Sequence, residues 1–240
     1  LSEGGAMSEG YTSTVLGIPC VPKTAEESRI DRNVRLAELV GARVHIQHVT
    51  TAAGVEIVRR AKARGVRVTC ETCPHYWMLT DDAVRKFDSN AKMNPPLRES
   101  EDVAGIIEGL QDGTIDCIAT DHAPHTPTEK EAEFALAPFG VIGLETSLAA
   151  AITGLVDPGH LSIERVVALM TDAPAQICGL DAGRLVEGGA ADITVFDPQA
   201  DWEVKAEDFA SRSRNCPFIG RTLRGKVKYT LCDGEVVYRG

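Results

Sequence analysis

The chain has 240 residues, 43% of them hydrophobic, which is enough for one large domain or about one and a half ordinary ones. It carries 35 acidic and 25 basic side chains, a formal net charge of −10, and no basic cluster, so nucleic acid and anionic membrane surfaces are poor candidates for a partner. No apolar run reaches the ~20 residues that cross a bilayer and no signal-peptide pattern opens the chain, so we expect a cytoplasmic location.

The cysteine content indicates reduced thiols. Seven cysteines, an odd number, are scattered through apparent strands and loops and do not form a disulfide framework. Cys70-Glu-Thr-Cys73 has C-x-x-C spacing, but it lacks the second pair or the thioredoxin-like context that a structural zinc or redox site needs. Because the chain opens at Leu1, in what reads as a glycine-rich loop, we expect it to be the later part of a longer protein.

Strands and helices alternate along the first part of the chain. Thr24-Ala-Glu-Glu27 has the spacing of a capping box, Thr50-Thr51 is a plausible helix N-cap, and Ser100 is predicted to cap a third helix. The predicted helices end near Gly41, Gly65 and Gly113. The predicted strands are 43–49, 66–73 and 115–120, and further helical patterns cover 143–153, 162–170 and 173–178.

The pattern changes after Gly183. Residues 184–196 and 225–237 alternate like strands, and Asp233-Gly234 predicts a tight hairpin turn. Repeated β-then-α units predict an α/β fold, the C-terminal part of a (β/α)8 TIM-like barrel containing about strands 6 to 8 with their following helices, plus a small β appendage. The predicted boundaries are 1–182 for the partial barrel and 183–240 for the β appendage.

Asp121-His-Ala-Pro-His125 closes the apolar run at residues 115–120 and is the most informative stretch. A carboxylate and two imidazoles therefore leave one strand at its C-terminal end, where ligands and catalysts gather in α/β folds. The alternative is a polar strand-to-helix turn in which Asp121 caps a helix.

A second strand end carries His45 and His48. Successive side chains of a strand point to opposite faces, so these two histidines, three residues apart, point to different faces or depths. At most one of them can easily join Asp121. We choose His48, which ends the apolar stretch, because a histidine inside a strand, like His45, is more often satisfied in the core. His48 and Asp121 predict part of a site for zinc or a similar divalent metal, although two ligands do not complete one.

The chain resembles the amidohydrolase superfamily and, within it, the zinc-dependent dihydroorotases of the shorter, bacterial type. The motifs behind this resemblance cover essentially the whole chain: Gly-Gly-Ala-Met-Ser-Glu-Gly10, Arg-Val-His-Ile-Gln-His48, Lys-Met-Asn-Pro-Pro-Leu-Arg98, Ile-Ala-Thr-Asp-His-Ala-Pro-His125, Ala-Pro-Phe-Gly140 and Asn-Cys-Pro-Phe-Ile-Gly220. The resemblance implies reversible hydrolysis of dihydroorotate to N-carbamoyl-L-aspartate in pyrimidine biosynthesis.

The resemblance also implies residue roles. His48 is expected to bind the more buried of two zinc ions, and Asp121 is expected to touch the other and to shuttle protons beside a zinc-activated hydroxide. Residues expected to bind substrate are Asn94, His125, Phe139, Gly140 and Arg98. Arg98 has an alternative, a salt bridge that steadies the Pro95-Pro96 loop. Glu71 and His75 are expected to approach the metals. The alternatives are that they hydrogen-bond to the direct ligands or make purely structural hydrogen bonds.

Two departures from the family pattern leave alternatives open. The early His-x-His-x-Arg motif, the bridging carboxylate or carboxylated lysine and the fifth-strand histidine are absent, so this chain alone is expected to be inactive. Glu71-Thr-Cys-Pro-His-Tyr76 is more similar to allantoinases and dihydropyrimidinases. The alternatives are therefore another cyclic amidase, or a catalytically inactive homologue that acts as a structural partner. A homo-oligomer or a carbamoyltransferase partner also stays open.

Overall fold

The computed structural model describes residues 3–240, so Leu1 and Ser2 of the predicted barrel segment lie outside the described residues. Contacts group the chain into two units, residues 3–144 with Phe209–Pro217, and Glu145–Asp208 with Phe218–Gly240. The first unit contains β1 (Met7–Ser8), α1 (Tyr11–Leu16), β2 (Cys20–Val21), α2 (Thr24–Val40), β3 (Val44–Ile46), α3 (Ala52–Ala63), β4 (Val68–Thr72), α4 (His75–Met78), 3-10 turns at Asp81–Lys86 and Ser89–Ala91, α5 (Ser100–Gln111), β5 (Cys117–Ile118) and α6 (Pro127–Lys130). The second unit contains α7 (Ser147–Ala151), a π-helical turn (Ile152–Val156), α8 (Ile163–Met170), α9 (Asp172–Cys178), β6 (Ile193–Glu203), a 3-10 turn (Ala206–Asp208), β7 (Thr222–Cys232) and β8 (Glu235–Arg239).

A parallel sheet of three strands, in the order β3-β4-β5, organises the first unit. His45 pairs with Thr69, and Glu71 pairs with Cys117. Residues 68, 70 and 72 of β4 are buried, whereas residues 69 and 71 are half-buried, so the two faces of the strand differ. Since all three strands run in the same direction, their C-terminal ends meet at one edge.

Glycines let α3 and α5 pack closely. A Cβ atom built on Gly105 would lie 2.4 Å from the Ala52 Cβ, and one built on Gly109 would lie 2.7 Å from a Val55 methyl group. The two glycines are four residues apart and share one helix face. The buried side chains Val58, Ile106, Leu110 and Ile115 form part of the core of this unit.

The caps of these helices agree only in part with the sequence prediction. Thr51 caps α3 as predicted, its side chain accepting a hydrogen bond from the Gly54 N–H at 3.0 Å. The predicted capping box at Thr24 is wrong, because α2 is preceded by Lys23, which makes no side-chain cap. Ser100 is the first residue of α5 and not its cap, which is Glu99. Asp121 caps no helix, since the next helix, α6, is capped by Thr126.

The second unit combines three short helices with an antiparallel sheet in the order β6-β7-β8. Its hairpin turns at Asp233-Gly234, as predicted, with φ of 49° and 81° at these residues. The Arg224 N–H donates to the Thr153 hydroxyl at 2.8 Å and joins β7 to the π-helical turn. The strand predicted at residues 184–196 is wrong over residues 184–192, because β6 begins at Ile193 and residues 181–190 are exposed.

The predicted boundary at residue 183 differs from the division by contacts. Residues 145–182 cluster with the β-rich segment that follows them and not with the parallel sheet. The division into a partial barrel and a β domain therefore stays a prediction. Among residues 3–240, no helix combines the length and the apolar character that crossing a membrane requires.

Candidate active site at the strand ends

Three polar side chains follow the C-terminal ends of the parallel strands. His48 lies just beyond β3, His75 begins α4 beyond β4, and Asp121 lies just beyond β5. The strands are neighbours in this order, so the shared sheet edge positions all three residues. The edge predicted from the sequence for His48 and Asp121 is thus present, with His75 on the strand between them.

The backbone at this edge is unusual. His48 has φ 38° and Asp121 has φ 47°, both in the left-handed region that non-glycine residues rarely adopt. Such a conformation costs about 1–2 kcal/mol and persists where neighbours fix it. Next to His48, the Val49 N–H donates to the Glu71 carbonyl at 2.8 Å, and the Thr72 hydroxyl donates to the Val49 carbonyl at 2.9 Å. Strain held in this way is typical of functional sites.

The buried groups at the edge interact electrostatically. Burial, followed by the charge of His48, lowers the pKa of His75 to about 3, so His75 is neutral at physiological pH. Burial, followed by the charges of Asp121 and Glu71, raises the pKa of the Cys73 thiol. His75 therefore lies near His48, and Cys73 lies near Asp121.

Two imidazole nitrogens at the edge fit a metal site. His48 Nδ1 and His75 Nε2 are buried and make no hydrogen bond within the described part of the chain. A buried polar atom without a partner costs about 1–3 kcal/mol, and a metal would satisfy such an atom on a neutral imidazole. His48 and Asp121 offer the nitrogen and oxygen donors that zinc accepts, so these residues fit as part of a metal centre.

Glu26, which the sequence analysis did not identify, holds the segment after His48. Its carboxylate accepts the backbone N–H groups of Thr50 at 2.8 Å and Thr51 at 3.2 Å, and it also contacts the Thr50 hydroxyl. Arg98 donates to the same carboxylate at 3.2 Å. One carboxylate on α2 therefore anchors the start of α3, which immediately follows the candidate metal ligand.

Arg98 is engaged by the protein itself. The side chain is 2% exposed, and besides Glu26 its donors reach the Thr50 and Ser8 hydroxyls, each at 3.0 Å. This arrangement favours a structural role for Arg98 over a contact with substrate. The substrate role stays a prediction.

A cavity of about 470 Å³ opens beside His48. Asn94 and Arg98 line it together with His48, so three predicted site residues share its wall. Tyr76 holds the adjoining loop, since its hydroxyl donates to the Pro95 carbonyl at 2.7 Å. Within the described residues, Asp121, His125, Phe139 and Gly140 do not line this cavity.

His125, Phe139 and Gly140 form a second cluster. His125 Nε2 lies 2.9 Å from the Phe139 carbonyl, and since a carbonyl only accepts, this nitrogen carries the proton. Asn215, to which the sequence analysis assigned no role, donates to the Gly140 carbonyl at 3.1 Å and accepts from the His125 N–H at 3.3 Å. Gly140 is required here, because its φ is 122° and an added Cβ would lie 2.5 Å from the Ala123 Cβ.

Two buried lysines, also missed from the sequence, hold the loop that contains Phe139 and Gly140. Lys92 Nζ donates to three carbonyls and lies 4.6 Å from the centre of the Phe139 ring. Lys130 Nζ donates to two more, each at 3.0 Å. Burial, then the charge of Lys92, lowers the pKa of Lys130 to about 8. The five carbonyls belong to Phe134, Ala135, Ala137, Pro138 and Gly140.

The remaining predicted residues lie within the strands. Glu71 on β4 contacts His45 Nε2 at 3.1 Å, and His45 Nδ1 lies 2.8 Å from the Thr69 hydroxyl. His45 is thus hydrogen-bonded inside β3, as the sequence analysis expected. Burial raises the pKa of Cys70 to about 12, which makes its thiolate inaccessible at neutral pH and disfavours redox use of the Cys70–Cys73 pair.

A family model and several known proteins match this chain. The Amidohydrolase family model matches residues 19–237. A dihydroorotase from Geotalea daltonii is 54% identical over 98% of this chain and 55% of its own length. One from Endomicrobium trichonymphae is 51% identical over 100% of this chain and 57% of its own length. The chain therefore spans about half the length of the curated relatives it matches.

Solved structures match as well. The L-hydantoinase (dihydropyrimidinase) from Arthrobacter aurescens is 33% identical with a TM-score of 0.84, over 89% of this chain and 48% of that one. The dihydropyrimidinase from Brevibacillus agri is 27% identical with a TM-score of 0.86, over 91% and 49%. These matches support a hydantoinase-like α/β fold of the TIM-barrel type. Because the family model matches most of the chain, the chain belongs to the amidohydrolase family.

Proposed function

We propose that the protein containing this sequence is a dihydroorotase, which interconverts dihydroorotate and N-carbamoyl-L-aspartate in de novo pyrimidine biosynthesis. The observation that carries the proposal is the 54% identity to a dihydroorotase over 98% of the chain. The strand-end position of His48 and Asp121 supports it, because ring hydrolysis needs a metal and a proton carrier at one edge.

His48 and Asp121 would hold zinc, with two ions expected in the complete centre. The chemistry that zinc supplies when bound is a more acidic water and a polarised amide carbonyl. Asp121 would take a proton from the attacking water and deliver it to the ring nitrogen as the amide bond breaks. His48, whose backbone is fixed by Glu71 and Thr72 through Val49, presents its imidazole without reorganisation.

The remaining predicted residues orient the substrate. Asn94 offers an amide beside His48 in the cavity wall. His125 and the Phe139-Gly140 backbone bind the substrate's polar groups, with His125 directed at its carboxylate. Lys92, Lys130 and Asn215 fix this backbone from behind, so its position does not depend on the substrate.

Replacement of Asp121 tests the proposal. Asp121→Asn should retain the fold and lose ~10²–10⁴-fold in turnover of dihydroorotate, because the amide cannot carry the proton. Asp208→Asn, an exposed aspartate in another unit of the chain, is the matched control and should retain normal turnover. Near-normal activity of Asp121→Asn would remove Asp121 from the mechanism.

A second candidate is a hydantoinase or dihydropyrimidinase-like activity, with allantoinase as a further variant. The solved structures described above and the Glu71-Thr-Cys-Pro-His-Tyr76 segment favour it. Turnover of dihydroorotate, dihydrouracil and allantoin by the same preparation separates these activities. Turnover of none of them would favour an inactive homologue that serves as a structural partner, for instance of a carbamoyltransferase.

A further inference from the structure

Three side chains with metal-binding atoms share one face of the parallel sheet, on the strands themselves and not beyond their ends. His45 on β3 pairs with Thr69 on β4, and Glu71, two residues along β4, pairs with Cys117 on β5. Paired residues in a sheet point to the same side, and so do residues two apart on a strand. We call His45, Glu71 and Cys117 the sheet-face cluster.

The distances in the sheet-face cluster suit a small divalent metal. One ligand atom from each residue lies within 4.8 Å of the other two. His45 Nε2 is 3.1 Å from a Glu71 carboxylate oxygen, and Cys117 Sγ is 4.0 Å from the same oxygen. In tetrahedral zinc sites, bond lengths of about 2.0–2.3 Å put neighbouring ligand atoms about 3.3–3.8 Å apart. Shortening the longer separations by up to roughly 1 Å would therefore place a metal between the three.

The surroundings of His45 also suit a ligand. Its Nδ1 lies 2.8 Å from the Thr69 hydroxyl. When that hydroxyl accepts, the proton sits on Nδ1 and the lone pair of Nε2 faces Glu71 and Cys117. Zinc-binding histidines are commonly oriented by such a hydrogen bond on the opposite nitrogen. The side chains of His45 and Glu71 are 25% and 17% exposed in this chain, so neither is sealed in its core.

We propose that the sheet-face cluster binds one zinc ion or a similar thiophilic divalent cation through His45 Nε2, a Glu71 oxygen and Cys117 Sγ. Binding releases the thiol proton of Cys117 to solvent, and a water molecule completes the fourth position. This site is separate from the strand-end centre, since it uses neither His48 nor Asp121. It does not depend on the proposed function.

Cobalt(II) is the probe for the test. Titration of the metal-stripped protein with Co²⁺ should produce a near-ultraviolet thiolate-to-cobalt absorption band that saturates at one equivalent and is removed by added Zn²⁺. Cys117→Ser should abolish the band. Glu71→Gln should weaken Co²⁺ binding at this site by at least about tenfold, because a neutral amide is a poorer ligand than a carboxylate. Circular dichroism confirms that each variant is folded, and Cys117→Ala serves if the serine variant is not.

Matched controls separate this site from its neighbours. Cys73→Ser removes a buried thiol that does not belong to the sheet-face cluster and should leave the band unchanged. His48→Gln should also leave the band unchanged while it lowers the metal held at the strand ends. Absence of the band in the unmodified protein, or its persistence in Cys117→Ser, would overturn the proposal. Loss of dihydroorotate turnover with an intact band would count against the proposed function alone.

Discussion

At the scale of single residues, Glu26 and Glu27 have different roles although they are adjacent in the sequence. Both lie in the first turn of α2. Glu26 accepts hydrogen bonds from Thr50, Thr51 and Arg98, whereas burial, followed by the charge of Glu26, raises the pKa of Glu27. The glutamate expected to close a capping box has no capping role, and the adjacent one holds the segment that follows His48.

Glu26→Gln is predicted to lower the free energy of unfolding by about 3–5 kcal/mol, because it leaves the buried Arg98 without its counter-charge. Urea denaturation measures this change. Glu27→Gln is the control and should change the free energy of unfolding by less than about 0.5 kcal/mol. Equal effects of the two substitutions would contradict the role given to Glu26.

Glu26→Gln should also weaken metal binding at the centre proposed at the strand ends, which a purely structural role would not predict for the folded protein. Thr50 and Thr51 lie two and three residues after His48, so a shift of their backbone is expected to move its imidazole. Roughly tenfold weaker metal binding is expected for a residue that orients a ligand. Metal competition with a chromophoric chelator at a temperature where the variant is folded measures this directly.

At the scale of elements, the loop from Phe134 to Gly140 depends on charge for its conformation. Two ammonium groups, from Lys92 and Lys130, satisfy five of its carbonyls. Only Asp88 raises the pKa of Lys130, whereas burial and Lys92 both lower it. The loop is therefore held by buried positive charge, and the free-energy cost of burying the Lys130 ammonium group depends on pH.

The free energy of unfolding is predicted to rise as the pH increases from about 8 towards 10.5. In this window the unfolded chain, with the ordinary lysine pKa of 10.5, binds the Lys130 proton while the folded chain, at about 8, has released it. Neutral Lys130 keeps two N–H donors, enough for its two carbonyls. Lys130→Met should remove this part of the pH dependence. Urea denaturation at about pH 7 and about pH 9.5, followed by Trp77 fluorescence in a Trp202→Phe background, measures it.

Gly140→Ala is predicted to destabilise the same loop by more than about 2 kcal/mol, since it combines a positive φ with a Cβ clash at 2.5 Å. Gly17→Ala is the matched control. Gly17 also has a positive φ, 66°, but nothing lies within 4 Å of its added Cβ, so only about 1 kcal/mol is expected. Similar losses of thermal stability in the two variants would show that the contact with Ala123 is unimportant.

At the scale of the whole molecule, the exposed segment at residues 181–190 lies inside one compact unit and does not separate two. On its N-terminal side are α7 to α9, and on its C-terminal side are β6 to β8. Two contacts join these sides. The Arg224 N–H donates to the Thr153 hydroxyl. Ile152 packs against Gly225 so closely that a Cβ atom built on Gly225 would lie 2.4 Å from the Ile152 Cδ1 atom.

Trypsin is predicted to cleave first at Arg184, whose side chain is 58% exposed in this segment. The two fragments should elute together in size-exclusion chromatography without denaturant, because the contacts between helices and sheet survive the cut. Arg184→Gln should delay the cleavage and serves as the control. Fragments that separate without denaturant would support the domain boundary predicted at residue 183.

Several elements were predictable because their signals are local. The Thr51 cap of α3, the helix at Asp172–Cys178 and the turn at Asp233-Gly234 each depend on residues within a few positions of one another. The strand at residues 115–120 was recognised, although only Cys117–Ile118 pairs regularly. The strand predicted from residue 184 failed because alternation describes a face to be buried, and here no partner strand buries it.

The sequence by itself determined the strand-end position of His48 and Asp121, since an apolar run followed by polar side chains marks the C-terminal edge of a parallel sheet. Only the tertiary structure decided what holds them and their surroundings: Glu26 behind Thr50, two lysines behind the Phe139 loop, and Asn215 beside His125. The contacts of Glu26, Lys92 and Asn215 join residues more than 20 positions apart, whereas Lys130 reaches carbonyls 8 and 10 positions away. A local pattern carries no record of such a partner, because the hydrogen bond exists only once the chain has brought the two groups together.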